Sequence, residues 1–245
     1  MLHRFWLAGV TLWLASGSHA IYLSSMRSHI TNALLIFLAF NTVWFFLHSV
    51  NLGWRGLISD DPGQFSRVFL DGTPMANAAL ALHMITGALL TIGAPIQALP
   101  VLRRKWPGLH KRSGYALVAL ALLTGFAGLF YILVRGTVGG WWMSLWFAIY
   151  GCAVLWSAVN TLRHAVARNL ERHFRWATRL VILAVGSWIY RMHYVVWYAL
   201  TGGLASNEAL TGPFDRIQVV AFFVPYLLIS EFFLRRETKP VARTS

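Results

Sequence analysis

Nine histidines and a single cysteine make up the soft and titratable ligand inventory of the chain. His83 lies in an apolar run, Leu82-His83-Met84-Ile85-Thr86-Gly87, and His110 opens another, with Gly114 four residues on. Four residues are about one helical turn, so each imidazole has a glycine beside it on the same face. Sorted by depth, His48, His83 and His193 fall in the outer half of a helix bundle, and His110, His164 and His173 at its inner surface. Two histidine sets on different helices, one per membrane half, suit two six-coordinate haems, each iron taking two imidazoles from facing helices. On this reading His83 pairs with His193 at an outer site and His110 with His173 at an inner one. Gly87 and Gly114 leave room for a flat macrocycle, and Arg191 serves as the fixed cation for a propionate. Trp176 follows His173 by three residues, on the same helical face. No C-x-x-C-H motif occurs, so the haem would be a non-covalent b-type group.

Plainer roles compete for each residue. Glycines in membrane helices usually serve close helix packing. His110, His164 and His173 sit among basic residues, where a solvated imidazole is ordinary, and His48 near a helix end suits the interface. Glu231 balances Arg235 or an inner-loop cation. Asp60, Asp61 and Asp71 lie in Gly- and Pro-rich turns and offer too few ligands for a cation site. His83 and Arg191 are different, because ionisable groups inside a span are costly and functional by default. Three functions follow: a b-type haem protein carrying electrons across the bilayer, with a redox partner or quinone; a non-enzymatic assembly or interaction factor; and a small proton-coupled transporter using His83, Arg191 and Glu231.

Composition sets the elements that must position these residues. The chain has 245 residues, 57% hydrophobic and 12% charged, with a mean hydropathy of +0.57. Soluble domains are roughly 25% charged. With several apolar runs of span length, the expected fold is all-α: a polytopic transmembrane bundle over residues 30–236. Six main spans are expected, near Thr31–Val50, Met75–Leu99, His110–Val134, Trp141–Leu162, Trp176–Leu200 and Ile217–Leu234. Pro95 should kink or end the second. The net charge of +13 does not point to nucleic acid, because the basic residues cluster in short segments between apolar runs. Six spans put all three strongly basic segments on one side, which the positive-inside rule makes cytoplasmic, C-terminus included. The expected home is a bacterial inner membrane, with the lipid bilayer as first partner. Cys152 is mid-helix, so no disulfide framework or thiolate metal site is expected. Oligomeric state is not legible.

Residues 1–24 are expected to form an N-terminal hydrophobic helix. Ser18-His19-Ala20 resembles a signal-peptide cleavage site. Cleavage would place Arg27 outside, against the charge pattern, so an uncleaved anchor is expected, or a true start at Met26. Residues 237–245 are a basic cytoplasmic tail.

From about Asn77 to Arg236 the chain resembles the bacterial membrane proteins of DUF2306, a domain of unknown function. The residues that carry the resemblance are L-H-x-x-x-G at Leu82–Gly87, P-x-Q at Pro95–Gln97, and R-R-x-W-P-x-L-H-x-x-x-G at Arg103–Gly114. To these are added H-x-x-W at His173–Trp176, Arg191, and a last helix ending with Glu231. Ala177 departs from the family's Met, and Pro225-Tyr226 stands where a Pro-Asn pair is usual. The resemblance implies a multi-pass inner-membrane protein with no assigned reaction.

Overall fold

A computed structural model describes residues 29–236. The expectations for residues 1–24 and 237–245 lie outside the described residues. Among those described, the fold is all-helical, with six helices long and apolar enough to cross a membrane. They are α1 (His29–Ile58), α2 (Pro74–Ala98), α4 (Pro107–Arg135), α5 (Gly140–Val166), α6 (Leu170–Thr201), and a broken sixth span made of α7 (Pro213–Ala221) and α8 (Val224–Arg236). A short helix, α3 (Pro100–Lys105), carries the first basic cluster, and a 3-10 turn at Pro62–Phe65 follows α1.

The punctuation follows local chemistry. Pro74, Pro100, Pro107 and Pro213 each open a helix, where the missing N–H is harmless. Pro95 sits inside α2, three residues before its end, and α2 runs on to Ala98. It removes only the bond to the carbonyl one turn earlier, at the helix end, so it does not end the span. Gly202 closes α6 in the left-handed region, φ 68°, with its N–H bonded to the Tyr198 carbonyl. Most spans extend beyond their apolar runs, because charged residues continue helices past the hydrocarbon. Two corrections stand out: α1 runs on to Ile58 rather than ending near Val50, and α6 begins at Leu170 rather than near Trp176, so Arg172, His173 and Arg175 are helical and not in a loop.

The bundle is organised around α2. It packs against α1, α4 and α6, and 44% of its apolar stretch is buried against 11–28% for the other spans. Small side chains permit this: Ala81, Ala88, Thr91 and Ala94 are buried on α2, and close approach is the main source of helix association in lipid. Thr91 ties α2 to α6 by donating to the Ala184 carbonyl at 2.8 Å. The break in the sixth span is a packing feature. Phe222 and Phe223, 0% and 3% exposed, turn into an aromatic cluster with Tyr150, Phe147 and Tyr190. The chain alternates direction from span to span, so the basic segments around residues 103–112, 163–175 and 235–236 share one end, the basic end.

Candidate functional site

His83 is fixed by the α2–α4 seam. Its Nδ1 lies 2.9 Å from the main-chain carbonyl of Thr124. That carbonyl is open to a side chain because residue 128, one turn further on, is glycine. A Cβ on Gly128 would stand 2.7 Å from Nδ1 of His83. The Thr124 hydroxyl donates to Thr86 at 2.8 Å, and Thr86 to the Leu82 carbonyl at 2.7 Å. Gly87, expected to leave space for a macrocycle, instead admits Thr124, whose methyl would lie 3.3 Å from an added Cβ. A carbonyl only accepts, so Nδ1 of His83 carries the proton and Nε2 the lone pair.

His173 repeats the arrangement at the basic end. Its Nδ1 lies 2.9 Å from the Thr161 carbonyl on α5, and one turn beyond Thr161 stands the small Ala165. His110, at the start of α4, has a buried Nδ1 with no hydrogen-bond partner. Its main-chain carbonyl accepts from Gln97 at 2.7 Å, and Gln97 in turn accepts from the Ser113 hydroxyl at 2.7 Å. Gly114 is the floor under that amide, since a Cβ there would meet Gln97 at 2.9 Å. Gln97 and Gly114 therefore form a clasp between the end of α2 and the start of α4. His164 lies beside a recess at the basic end.

His193 is engaged through both ring nitrogens. Nδ1 faces Gln218 Oε1 at 3.0 Å and Nε2 faces the Tyr226 hydroxyl at 2.8 Å. Gln218 spends its NH2 on the Tyr190 carbonyl at 3.1 Å, so its oxygen accepts, Nδ1 of His193 donates, and Nε2 accepts from Tyr226. The bonds of His83 thus go to α4, and those of His193 to α7 and α8. Tyr226 is the residue that occupies the His193 lone pair.

Two partners were not singled out in the sequence. Asp215, 1% exposed, accepts from the Tyr194 and Ser206 hydroxyls at 2.8 and 2.7 Å and from the Gly212 N–H at 2.9 Å. From the first turn of α7 it locks the preceding loop onto α6. Arg179 holds Glu231 through Nε and Nη2 at 3.1 and 2.6 Å, with Arg235 at 3.3 Å and Arg175 at 3.9 Å. The apolar length of α6 concealed Arg179.

Arg191 points to the α1 side of α6. Its guanidinium donates to the Ser187 carbonyl at 2.9 Å and lies 4.8 Å from the centre of the Phe45 ring. It borders a groove of about 510 Å³ lined by Trp44, Phe45, His48, Trp188 and Tyr194 among others. Among the described residues, no three or more His, Cys, Asp or Glu side chains gather as a metal site. Any metal chemistry at the histidines therefore depends on a prosthetic group that supplies most of the ligands.

Neither a curated protein nor a solved structure matches the chain. The family model of DUF2306, described as a predicted membrane protein, matches residues 80–234, which takes in the His83 seam, the Gln97–Gly114 clasp, the His173 contact and the Arg179–Glu231 pair. The chain belongs to the DUF2306 family of predicted membrane proteins.

Proposed function

We propose that this multi-pass membrane protein binds b-type haem non-covalently and carries electrons across the bilayer. The observation that supports this is the pair of fixed imidazoles, His83 in one half of the bundle and His173 in the other. Each has Nδ1 on a main-chain carbonyl at 2.9 Å. That bond sets the tautomer in which Nε2 can ligate a metal, and a carbonyl is a usual partner of a ligating histidine. The buried, unpartnered Nδ1 of His110 favours it as the second ligand beside His173. At the outer site His83 and His193 would be the residues to hold the group, which would require Nε2 of His193 to give up its bond with Tyr226. Haem, when bound, supplies one-electron chemistry at iron. The chain's own residues hold the imidazoles, exclude water with apolar helix faces, and offer Arg191 as a cation for a propionate. A lipid-soluble quinone fits as redox partner, since the groove beside Arg191 is aromatic and within the about 300–1,000 Å³ of small-molecule sites.

A second reading, a non-enzymatic assembly or interaction factor, is favoured by the filled space over Gly87 and Gly114 and by the two satisfied nitrogens of His193. The transporter reading has less support, because Glu231 is held by Arg179 at the basic end, away from His83 and Arg191. Reduced-minus-oxidised spectra of the detergent-purified protein separate the first two. Haem binding predicts a b-type signal, with His83→Ala and His173→Ala each removing one component while the protein still inserts. A folded wild type that stays colourless after haem supplementation during expression sinks the haem reading.

A further inference from the structure

A recess of about 320 Å³ lies at the basic end, between the close of α5 and the start of α6, lined by Arg163, Arg172, Arg175 and Arg179 with Asn160 and Trp176. We infer that this recess binds the phosphodiester headgroup of an anionic phospholipid from the adjoining leaflet. The spacing is the first argument. Positions 172, 175, 176 and 179 recur at three and four residues, so they form one stripe of α6. Positions 160 and 163 form the facing stripe of α5. Like charges at such spacing repel, and a positive-inside signal needs basic residues only somewhere near the span ends, not converging on one recess.

Charge accounting is the second argument. Glu231 is the one carboxylate ion-paired to this stripe among the described residues, and it is shared by Arg175, Arg179 and Arg235. Arg163 and Arg172 have no carboxylate partner among the described residues, and both are exposed at the recess. Guanidinium forks match phosphate oxygens bidentately, and basic pockets between membrane helices on the cytoplasmic side are suited to lipid headgroups.

Placement chooses the lipid over free phosphate. One turn deeper on the α5 face, Trp156 and Val159 are 64% and 47% exposed. In a membrane span those side chains face acyl chains, so a tail can lie below a headgroup held at Arg163. Trp176, with Arg179 stacked over its ring at 4.5 Å, is an interfacial side chain at the matching depth.

The test uses the full chain in detergent, with phosphatidylglycerol, phosphatidylcholine or inorganic phosphate added, read by native mass spectrometry and thermal unfolding. Phosphatidylglycerol is expected to bind at about one per chain, and R163Q/R172Q to weaken it by at least about tenfold, the loss of charge-assisted hydrogen bonds. K111Q/R112Q removes the same charge from the neighbouring basic segment and should retain the lipid. Arg172 sits in the first turn of α6, where a cation opposes the helix dipole, so R172Q alone should fold and still weaken binding. Equal weakening in both double variants would show a bulk charge effect. Equal binding of phosphatidylcholine, or stabilisation by inorganic phosphate that matches the lipid, would also overturn the assignment.

Discussion

At the scale of single residues, the structure assigns glycines by what leans on them. Gly128 is the residue that lets His83 reach a helix carbonyl. Gly128→Ala places a methyl 2.7 Å from Nδ1, so the imidazole must leave Thr124. Overpacking of this kind costs about 1–3 kcal/mol. Thermal unfolding should show that loss, and it should shrink when Gly128→Ala is combined with His83→Ala, because the clash then has no ring to meet. Additive losses would mean that Gly128 matters only for the α2–α4 backbone approach. Gly87→Ala, with a 3.3 Å contact to a Thr124 methyl, should cost much less. His83 was legible in the sequence as an ionisable group in an apolar run. Its partner was not, since a carbonyl 41 positions away leaves no mark except a glycine one turn beyond it. The glycines four residues after His83 and His110 are visible in the sequence, and in the structure Thr124 stands over Gly87 and Gln97 over Gly114.

At the scale of elements, α6 shows what hydropathy can and cannot reveal. Its middle was readable as a span, but its first two turns carry Arg172, His173 and Arg175 and read as loop, while Arg179 lay inside the expected span. Helical geometry sorts those residues by face: His173 turns to the Thr161 carbonyl, and the arginines to the recess and to Glu231. The Arg179–Glu231 pair joins α6 to α8, with side chains 19% and 27% exposed. Glu231→Gln leaves Arg175, Arg179 and Arg235 repelling one another without an anion. The expected loss is about 1–3 kcal/mol, below the about 3–5 kcal/mol for breaking a fully buried pair because solvent reaches both groups. The double variant R179Q/E231Q should regain part of it. A double variant less stable than Glu231→Gln would show that Arg179 is held mainly by Trp176. At the start of α7, Asp215→Ala strands the Tyr194 and Ser206 hydroxyls and the Gly212 N–H, and should cost at least about 2 kcal/mol, read by the same unfolding assay and by faster proteolysis at residues 202–212.

At the scale of the whole molecule, the count and order of the six described spans were legible because lipid leaves the chain few choices: an apolar run that crosses the membrane must satisfy its own backbone, as a helix does. The packing order was not legible, since small residues line several spans and only the structure shows α2 at the centre. Orientation follows from charge. Arg103, Arg104, Lys105, Lys111, Arg112, Arg163, Arg168 and Arg172 gather at one end with, among the described residues, only the acids Glu171 and Glu231, while the other end mixes Asp60, Asp61, Asp71 and Glu208 with Arg55, Arg67, Arg135 and Arg216. The positive-inside rule counts Lys and Arg in short loops near span ends, so the basic end should be cytoplasmic. A reporter fused after Arg236 is expected to behave as cytoplasmic, and one inserted between Asp60 and Gly72 as external. Neutralising Arg103, Arg104 and Lys105 together should leave both results unchanged, because the segment from Arg163 to Arg175 still orients the neighbouring pair of spans. Neutralising both segments should produce mixed topology. An external C-terminal reporter on the unaltered chain would reverse the bundle. The recess at Arg163 would then face the opposite leaflet, and His173 would lie on the outer side.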